Sequence, residues 1–235
     1  MKNILKIMLM MITIYTITGS AVYAAEIPVS DQDQLITSRD WTEISNLQDE
    51  MKKEEPDATI DYDKALKVYV DCNLIKLQTA DTKKLTSALE SANYVWVIPF
   101  KMEKTYGMFT VAKGLPLSEE AKSVLTKAEQ EEVKNHAGKW MITETAEHTV
   151  EPYYDILLEK REALSDCTRV VLVGSQPGMR QPVALGMDDE TARIWISLGY
   201  QYPVMEKIPE TQNVESGVSV SYTHLRAHET DQYLV

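Results

Sequence analysis

The stretch YVWVIPFKMEKTYGMFTVAK, residues 94–113, decides the fold class. Aromatic and β-branched residues fill both of its ends, and the short polar segment KMEK separates them. Two such runs around a short polar connection predict a β-hairpin. A second hairpin is predicted nearer the C-terminus, where QPVALGM and ARIWISLG flank the acidic turn Asp188-Asp189-Glu190.

Two further strands are predicted. One precedes the first hairpin in the chain, and the other lies between the two hairpins. ALKVYVDC, residues 65–72, alternates in polarity, which is typical of a half-buried strand and would place Cys72 on its inward face with Leu66 and Val68. TRVVLVG, residues 168–174, is a short continuous apolar run, and such a run indicates a strand that is buried on both faces.

Helical patterns lie between the strands. Thr37-Ser38-Arg39-Asp40 resembles a capping box at the start of an amphipathic helix, Asp81 opens a second helix, and Gly138 suits the end of a third. The helices and strands show no regular β-α-β alternation. We therefore expect an α+β fold, with a largely antiparallel sheet of hairpin-linked strands and several short amphipathic helices.

The N-terminus has the pattern of a secretory signal peptide. Lys2 and Lys6 precede an apolar run, and small residues then offer a cleavage position after Ala24. We expect residues 1–24 to be the signal peptide, residues 25–36 to be a polar lead-in, and residues 37–218 to form a single domain. The predicted location is secreted or extracytoplasmic, at the cell surface.

The last seventeen residues have a different origin in our interpretation. VSYTHLRAHET, residues 220–230, resembles one reading frame of a transposase-type sequencing adapter, and the final Leu234-Val235 fits its continuation. We interpret residues 219–235 as a translated artefact, which leaves the natural domain truncated at its C-terminal end and leaves open whether an anchor or wall-sorting signal followed. The metal-like pair His224 and His228 belongs to this segment and is therefore set aside.

The net charge of the chain and its lack of nucleotide-binding and metal-binding motifs limit the classes of molecule that it is expected to bind. The chain has 24 Lys and Arg against 36 Asp and Glu, a formal net charge of −12, so phosphate polymers and anionic membranes would be repelled. No G-x-G-x-x-G, P-loop or C-x-x-C motif occurs in the sequence. We therefore predict no cofactor, no metal site, no nucleic-acid partner and no membrane contact beyond the signal peptide or a lost anchor.

The candidate binding residues lie in and after one strand-end loop. GSQPGMRQP, residues 174–182, follows the buried strand, and rigid connections on a sheet often carry recognition. The predicted contacts are Ser175, Gln176, Arg180 and Gln181, with Tyr200 and Tyr202 as an aromatic platform. Cys72 and Cys167 could form one disulfide in an exported chain, and two buried free thiols are the alternative.

Two functional hypotheses follow from the sequence. The first is an exported, non-catalytic module that binds an extracellular protein, peptide, glycan or cell-wall component. The second is an exported hydrolase that uses Ser175, or a cysteine thiol paired with His136 or His148, as its nucleophile.

Overall fold

A single nine-stranded sheet organises the chain in the computed structural model, which describes residues 27–77, 79–148, 151–174, 176, 181–198 and 204–205. Its order is β5-β4-β3-β2-β6-β7-β8-β9, and β1 pairs with β3 beside this path. The strands are β1 (Thr59–Ile60), β2 (Leu66–Tyr69), β3 (Tyr94–Lys101), β4 (Tyr106–Lys113), β5 (Trp140–His148), β6 (Arg169–Val173), β7 (Val183–Met187), β8 (Ala192–Ser197) and β9 (Val204–Met205).

Short helices connect or cover these strands. The α-helices are α1 (Trp41–Ile44), α2 (Gln48–Glu54), α3 (Leu74–Leu77), α4 (Thr82–Glu90), α5 (Glu119–Val124), α6 (Lys127–His136) and α7 (Tyr153–Glu159). Single 3₁₀ turns occupy Asp31–Asp33, Ser45–Leu47 and Tyr62–Lys64. Within the described residues, no helix has both the length and the apolar character that a membrane crossing requires.

The sheet consists of two antiparallel halves that meet at one parallel pair. β1 to β5 form one half, and β6 to β9 form the other. At the junction, β2 and β6 run parallel, with Val68 opposite Leu172 and Tyr69 opposite Val173. The predicted α+β class and the largely antiparallel, hairpin-linked sheet are therefore confirmed, and both predicted hairpins are present.

Apolar side chains cover both faces of the sheet. One face packs against α7 through Tyr153 and Leu157, and its core includes Val68, Leu172 and Ile196. The opposite face packs against α1 and α2 over one half of the sheet and against α3 and α4 over the other. β2, predicted to be half-buried, is buried on both faces because it is a central strand with elements packed above and below it.

Local capping signals were predicted with mixed success. Asp81 caps α4 by accepting from the Lys84 amide, and Gly138 follows α6 with a positive φ of 76°. The capping box at residues 37–40 is wrong, because the Thr37 hydroxyl bonds backbone carbonyls of its own turn and Asp40 makes no cap bond. The Asp40 carboxylate points to the sheet instead.

Candidate functional site

Two of the predicted contact residues, Gln176 and Gln181, lie in the described part of the loop. The Gln176 side chain accepts from the Leu74 amide at 2.9 Å and donates to the Cys72 carbonyl at 2.7 Å and the Gly174 carbonyl at 2.9 Å. Its relative exposure is 2%, and it fixes the turn before α3. In this structure the Gln176 side chain serves the fold, and its role as a ligand contact remains a prediction.

Gln181 is partly exposed and accepts a hydrogen bond from the Tyr153 hydroxyl at 2.6 Å, which ties the end of the loop to α7. The other predicted contact residues lie outside the described residues. These are Ser175, Arg180, Tyr200 and Tyr202. Their role as binding residues remains a prediction.

Cys72 and Cys167 are both buried free thiols, so the disulfide that they could form is not present. Cys167 lies in the core that packs on α7, and Cys72 lies in the core on the opposite face of the sheet. Asp71 has a positive φ of 59°, and this left-handed residue breaks the alternation that was expected to place Cys72 with Leu66 and Val68. The sheet therefore separates the two sulfur atoms.

Neither thiol is suited to act as a nucleophile. Burial raises the pKa of the Cys72 thiol, and it is also the largest cause of the raised pKa of Cys167. The protonated form of both thiols is therefore favoured at neutral pH. His136 is exposed at the end of α6. Among the described residues, no hydrogen bond joins a cysteine to a histidine, and no group of three metal-ligating side chains is present.

The strongest concentration of buried polar chemistry surrounds Lys67, in the centre of β2. This lysine is buried because the segment of residues 31–40 lies over the face of the sheet from which its side chain projects, as the contacts to Asp33 and Asp40 show. Only 10% of its side chain is exposed. A lysine in a strand buried on both faces is rare unless it is paired.

Asp33 is the first acidic partner of this lysine. Its carboxylate lies 3.7 Å from Lys67 Nζ, and it accepts hydrogen bonds from Arg169 at 2.9 Å and from the Tyr69 hydroxyl at 2.7 Å. Burial and the neighbouring carboxylate raise the pKa of Tyr69, which keeps its hydroxyl protonated as a donor. Asp33 thus links the N-terminal segment to both halves of the sheet, since Tyr69 is in β2 and Arg169 is in β6.

Asp40 is the second acidic group near Lys67. Its Oδ2 atom accepts from the Tyr94 hydroxyl at 2.9 Å and from the Trp96 indole at 3.1 Å. The exposed Arg39 guanidinium lies 3.8 Å from Oδ1. The carboxylate predicted to cap a helix therefore holds that helix to β3.

Three aromatic rings enclose the Lys67 ammonium. Its Nζ atom lies 4.6 Å from the centre of the Tyr94 ring, 5.2 Å from that of Trp96 and 5.8 Å from that of Tyr69. Such cation–π contacts stabilise a desolvated cation. Burial nevertheless lowers the pKa of Lys67, although Asp33 and Asp40 oppose that effect.

This cluster forms the floor of an open cleft with a volume of about 410 Å³. That volume lies within the range of roughly 300–1,000 Å³ that small-ligand sites occupy. The lining residues come from the 31–40 segment, from β2, from the end of α4 and from the start of β3. They are Asp31, Gln32, Thr37, Ser38, Arg39, Asp40, Lys67, Tyr69, Leu89, Glu90, Ala92 and Tyr94.

The cleft presents ammonium, guanidinium, carboxylate and aromatic groups in one cavity, which suits reversible binding of a polar molecule. The sequence contained one signal for it, the lysine inside the strand pattern ALKVYVDC. The alternation of that segment predicts that Lys67 faces solvent on the outer side of a half-buried strand, whereas the structure buries it. Because Asp33 and Arg169 are far from Lys67 in the chain, no local pattern could predict that the three groups meet.

The fold and the site together define an α+β protein with a charged, aromatic-lined cleft over strands β2 and β3 of its sheet. Comparison of the chain with models of known protein families, with curated proteins and with solved structures finds no match.

Proposed function

We propose that the protein is an exported, non-catalytic binding module that holds part of an extracellular ligand in the Lys67 cleft. The ligand is a peptide, a glycan or a cell-wall component, and the module acts alone or as one domain of a longer surface protein. The observation that carries the proposal is the open cleft of about 410 Å³ with a buried ammonium on its floor.

The composition of the cleft supports binding of a polar ligand. Tyr69 and Tyr94 supply ring surface next to Lys67, and the exposed Asp31, Arg39 and Glu90 surround the opening with groups that can donate or accept hydrogen bonds. Sites with a few converging polar groups beside aromatic rings are typical of small-molecule recognition.

Export of the protein can be tested by expressing the full chain in a bacterial host. We expect the protein outside the cytoplasm, with Ala25 as its first residue by mass spectrometry, because the cleavage position follows Ala24. Replacing Ala24 with a bulky residue should leave the leader attached. Retention of the unmodified chain in the cytoplasm with residues 1–24 intact would contradict this part of the proposal.

Binding can be tested by NMR with ¹⁵N-labelled protein and a fragment library of sugars, short peptides and small charged molecules. The indole N–H of Trp96 is a natural reporter, because it donates to Asp40 in the lining of the cleft. We expect members of the library to shift this resonance and the amides of residues 31–40. If the whole library leaves these signals unchanged, the cleft is not a ligand site.

A further inference from the structure

The Lys67 ammonium donates no hydrogen bond to the described residues around it. It has three N–H donors, yet no acceptor among the described residues lies within hydrogen-bond distance, and its ionic partner Asp33 is 3.7 Å away. Nine-tenths of this side chain is buried, and the lysine lines the cleft. Because Lys67 lines the open cleft with donors that make no hydrogen bond to the described residues, an oxygen acceptor bound in the cleft could pair with them.

The charges around the cleft select against a strongly charged ligand. Three cations and four carboxylates lie in or against it. They are Lys67, Arg39 and Arg169, with Asp33, Asp40, Asp31 and Glu90. An added anion would be repelled by the Asp33 and Asp40 carboxylates and an added cation by the arginines, and because the two signs nearly balance, neither would gain a large net attraction. A ligand without net charge meets neither penalty.

Hydroxyl groups match this mixed lining better than other neutral groups. Each hydroxyl donates one hydrogen bond and accepts up to two, so neighbouring hydroxyls can accept from Lys67 and Arg39 while they donate to Asp31 or Glu90. Apart from the tyrosine rings, Leu89 and Ala92 are the only hydrophobic residues among those that line the cleft. The cleft therefore has no part formed mainly by aliphatic side chains for the apolar side chains of a peptide, whereas ring surface beside polar groups suits a sugar.

We propose that the cleft binds an uncharged sugar residue of a glycan, with Lys67 donating to its hydroxyl oxygens. The proposal rests on the proposed function, because it names the ligand of the same cleft. Lys67 is the central contact to the sugar, and the exposed Asp31, Arg39 and Glu90 side chains are the further hydrogen-bonding groups at the opening of the cleft.

The test compares neutral sugars with charged sugars and a neutral peptide. The full chain is titrated with glucose, galactose, mannose and N-acetylglucosamine, then with glucuronate, glucosamine and N-acetyl-trialanine amide, while the Trp96 indole resonance is followed. We expect at least one neutral sugar to bind about tenfold more tightly than the charged sugars and the peptide.

The variant Lys67→Met should weaken sugar binding by at least about tenfold, since it removes a charged hydrogen-bond donor but keeps a long side chain. Lys64→Met is the matched control, because Lys64 is close in sequence and pairs with Asp155 outside the cleft lining. It should bind like the unmodified protein. Asp31→Asn and Glu90→Gln test the two exposed carboxylates at the opening, and each should weaken binding severalfold.

The outcomes separate this inference from the proposed function. Tighter binding of glucuronate, glucosamine or the peptide than of every neutral sugar would overturn the sugar assignment and leave the cleft as a ligand site. Sugar binding that is unchanged in a folded Lys67→Met protein, and in both variants at the opening, would also overturn it. A cleft that responds to neither these probes nor the fragment library would overturn both.

Discussion

At the scale of single residues, Asp33 is the most consequential side chain of the N-terminal segment. It is 2% exposed and holds Arg169 and Tyr69 while it faces Lys67. Removing one partner from a buried ion cluster leaves the opposite charges uncompensated, which is far more costly than losing an exposed ion pair.

We therefore predict that Asp33→Ala lowers the free energy of unfolding by about 3–5 kcal/mol in urea denaturation. Asp31→Ala is the control. Asp31 is exposed and its side chain has no hydrogen bond within the described part of the chain, so its loss should change stability by less than about 0.5 kcal/mol. Equal effects of the two variants would contradict the role assigned to Asp33.

A second prediction at this scale concerns the thiols. In the folded protein, Cys72 and Cys167 should react slowly with a thiol reagent at neutral pH, because both are buried and burial raises their pKa. In denaturant, both should be labelled fully without prior reduction, as read by mass spectrometry. A mass shift that requires a reductant would instead show a disulfide.

At the scale of elements, the hairpin of β3 and β4 contains one very close cross-strand contact. Phe100 lies opposite Gly107, and its ring covers the glycine so closely that an added Cβ would lie 2.1 Å from ring atom Cζ. The same ring packs on Phe109 with 4.6 Å between the ring centres. The absence of a side chain at position 107 is therefore what lets this aromatic pair form.

We predict that Gly107→Ala destabilises the protein by about 1–3 kcal/mol, because the Phe100 ring must move. The double variant Phe100→Leu with Gly107→Ala should be more stable than the sum of the single effects by about 0.5–3 kcal/mol, because the smaller side chain leaves room for the methyl group. Additive effects in urea denaturation would show that the contact does not govern the hairpin.

The elements also show what the sequence can and cannot predict. Both hairpins and the Asp81 cap depend on residues close in the chain, and these were predicted correctly. The prediction that Cys72 lies on the same face as Leu66 and Val68 was wrong, because Asp71 adopts a left-handed conformation that no sequence pattern indicates. The role of Asp40 failed because its partners, Tyr94 and Trp96, lie more than fifty positions away.

At the scale of the whole molecule, one core joins the two half-sheets. Val68 of β2 packs in the same cluster as Leu172 of β6 and Ile196 of β8. Because both halves bury side chains in this cluster, neither can lose its packing without exposing the other. We therefore expect the two halves to unfold together.

Val68→Ala tests this coupling. The variant should lower the free energy of unfolding by about 2–3 kcal/mol, because Val68 is only 3% exposed. The folded-state indole resonances of Trp96 and Trp195 should still disappear at one common urea concentration. Val124→Ala, at a position that is 80% exposed, should change stability by less than about 0.5 kcal/mol. Separate midpoints for the two tryptophans would show independent halves.

The parallel pairing of β2 with β6 is also expected to form more slowly than the hairpins. Hairpins between neighbouring segments close within microseconds, whereas β2 and β6 are separated by roughly a hundred residues, and closing so long a loop is slow. Tyr69 and Arg169 reach Asp33 from opposite sides of that junction. We therefore expect Asp33 to gain its full set of partners only after the hairpins on both sides have formed and the two half-sheets have joined.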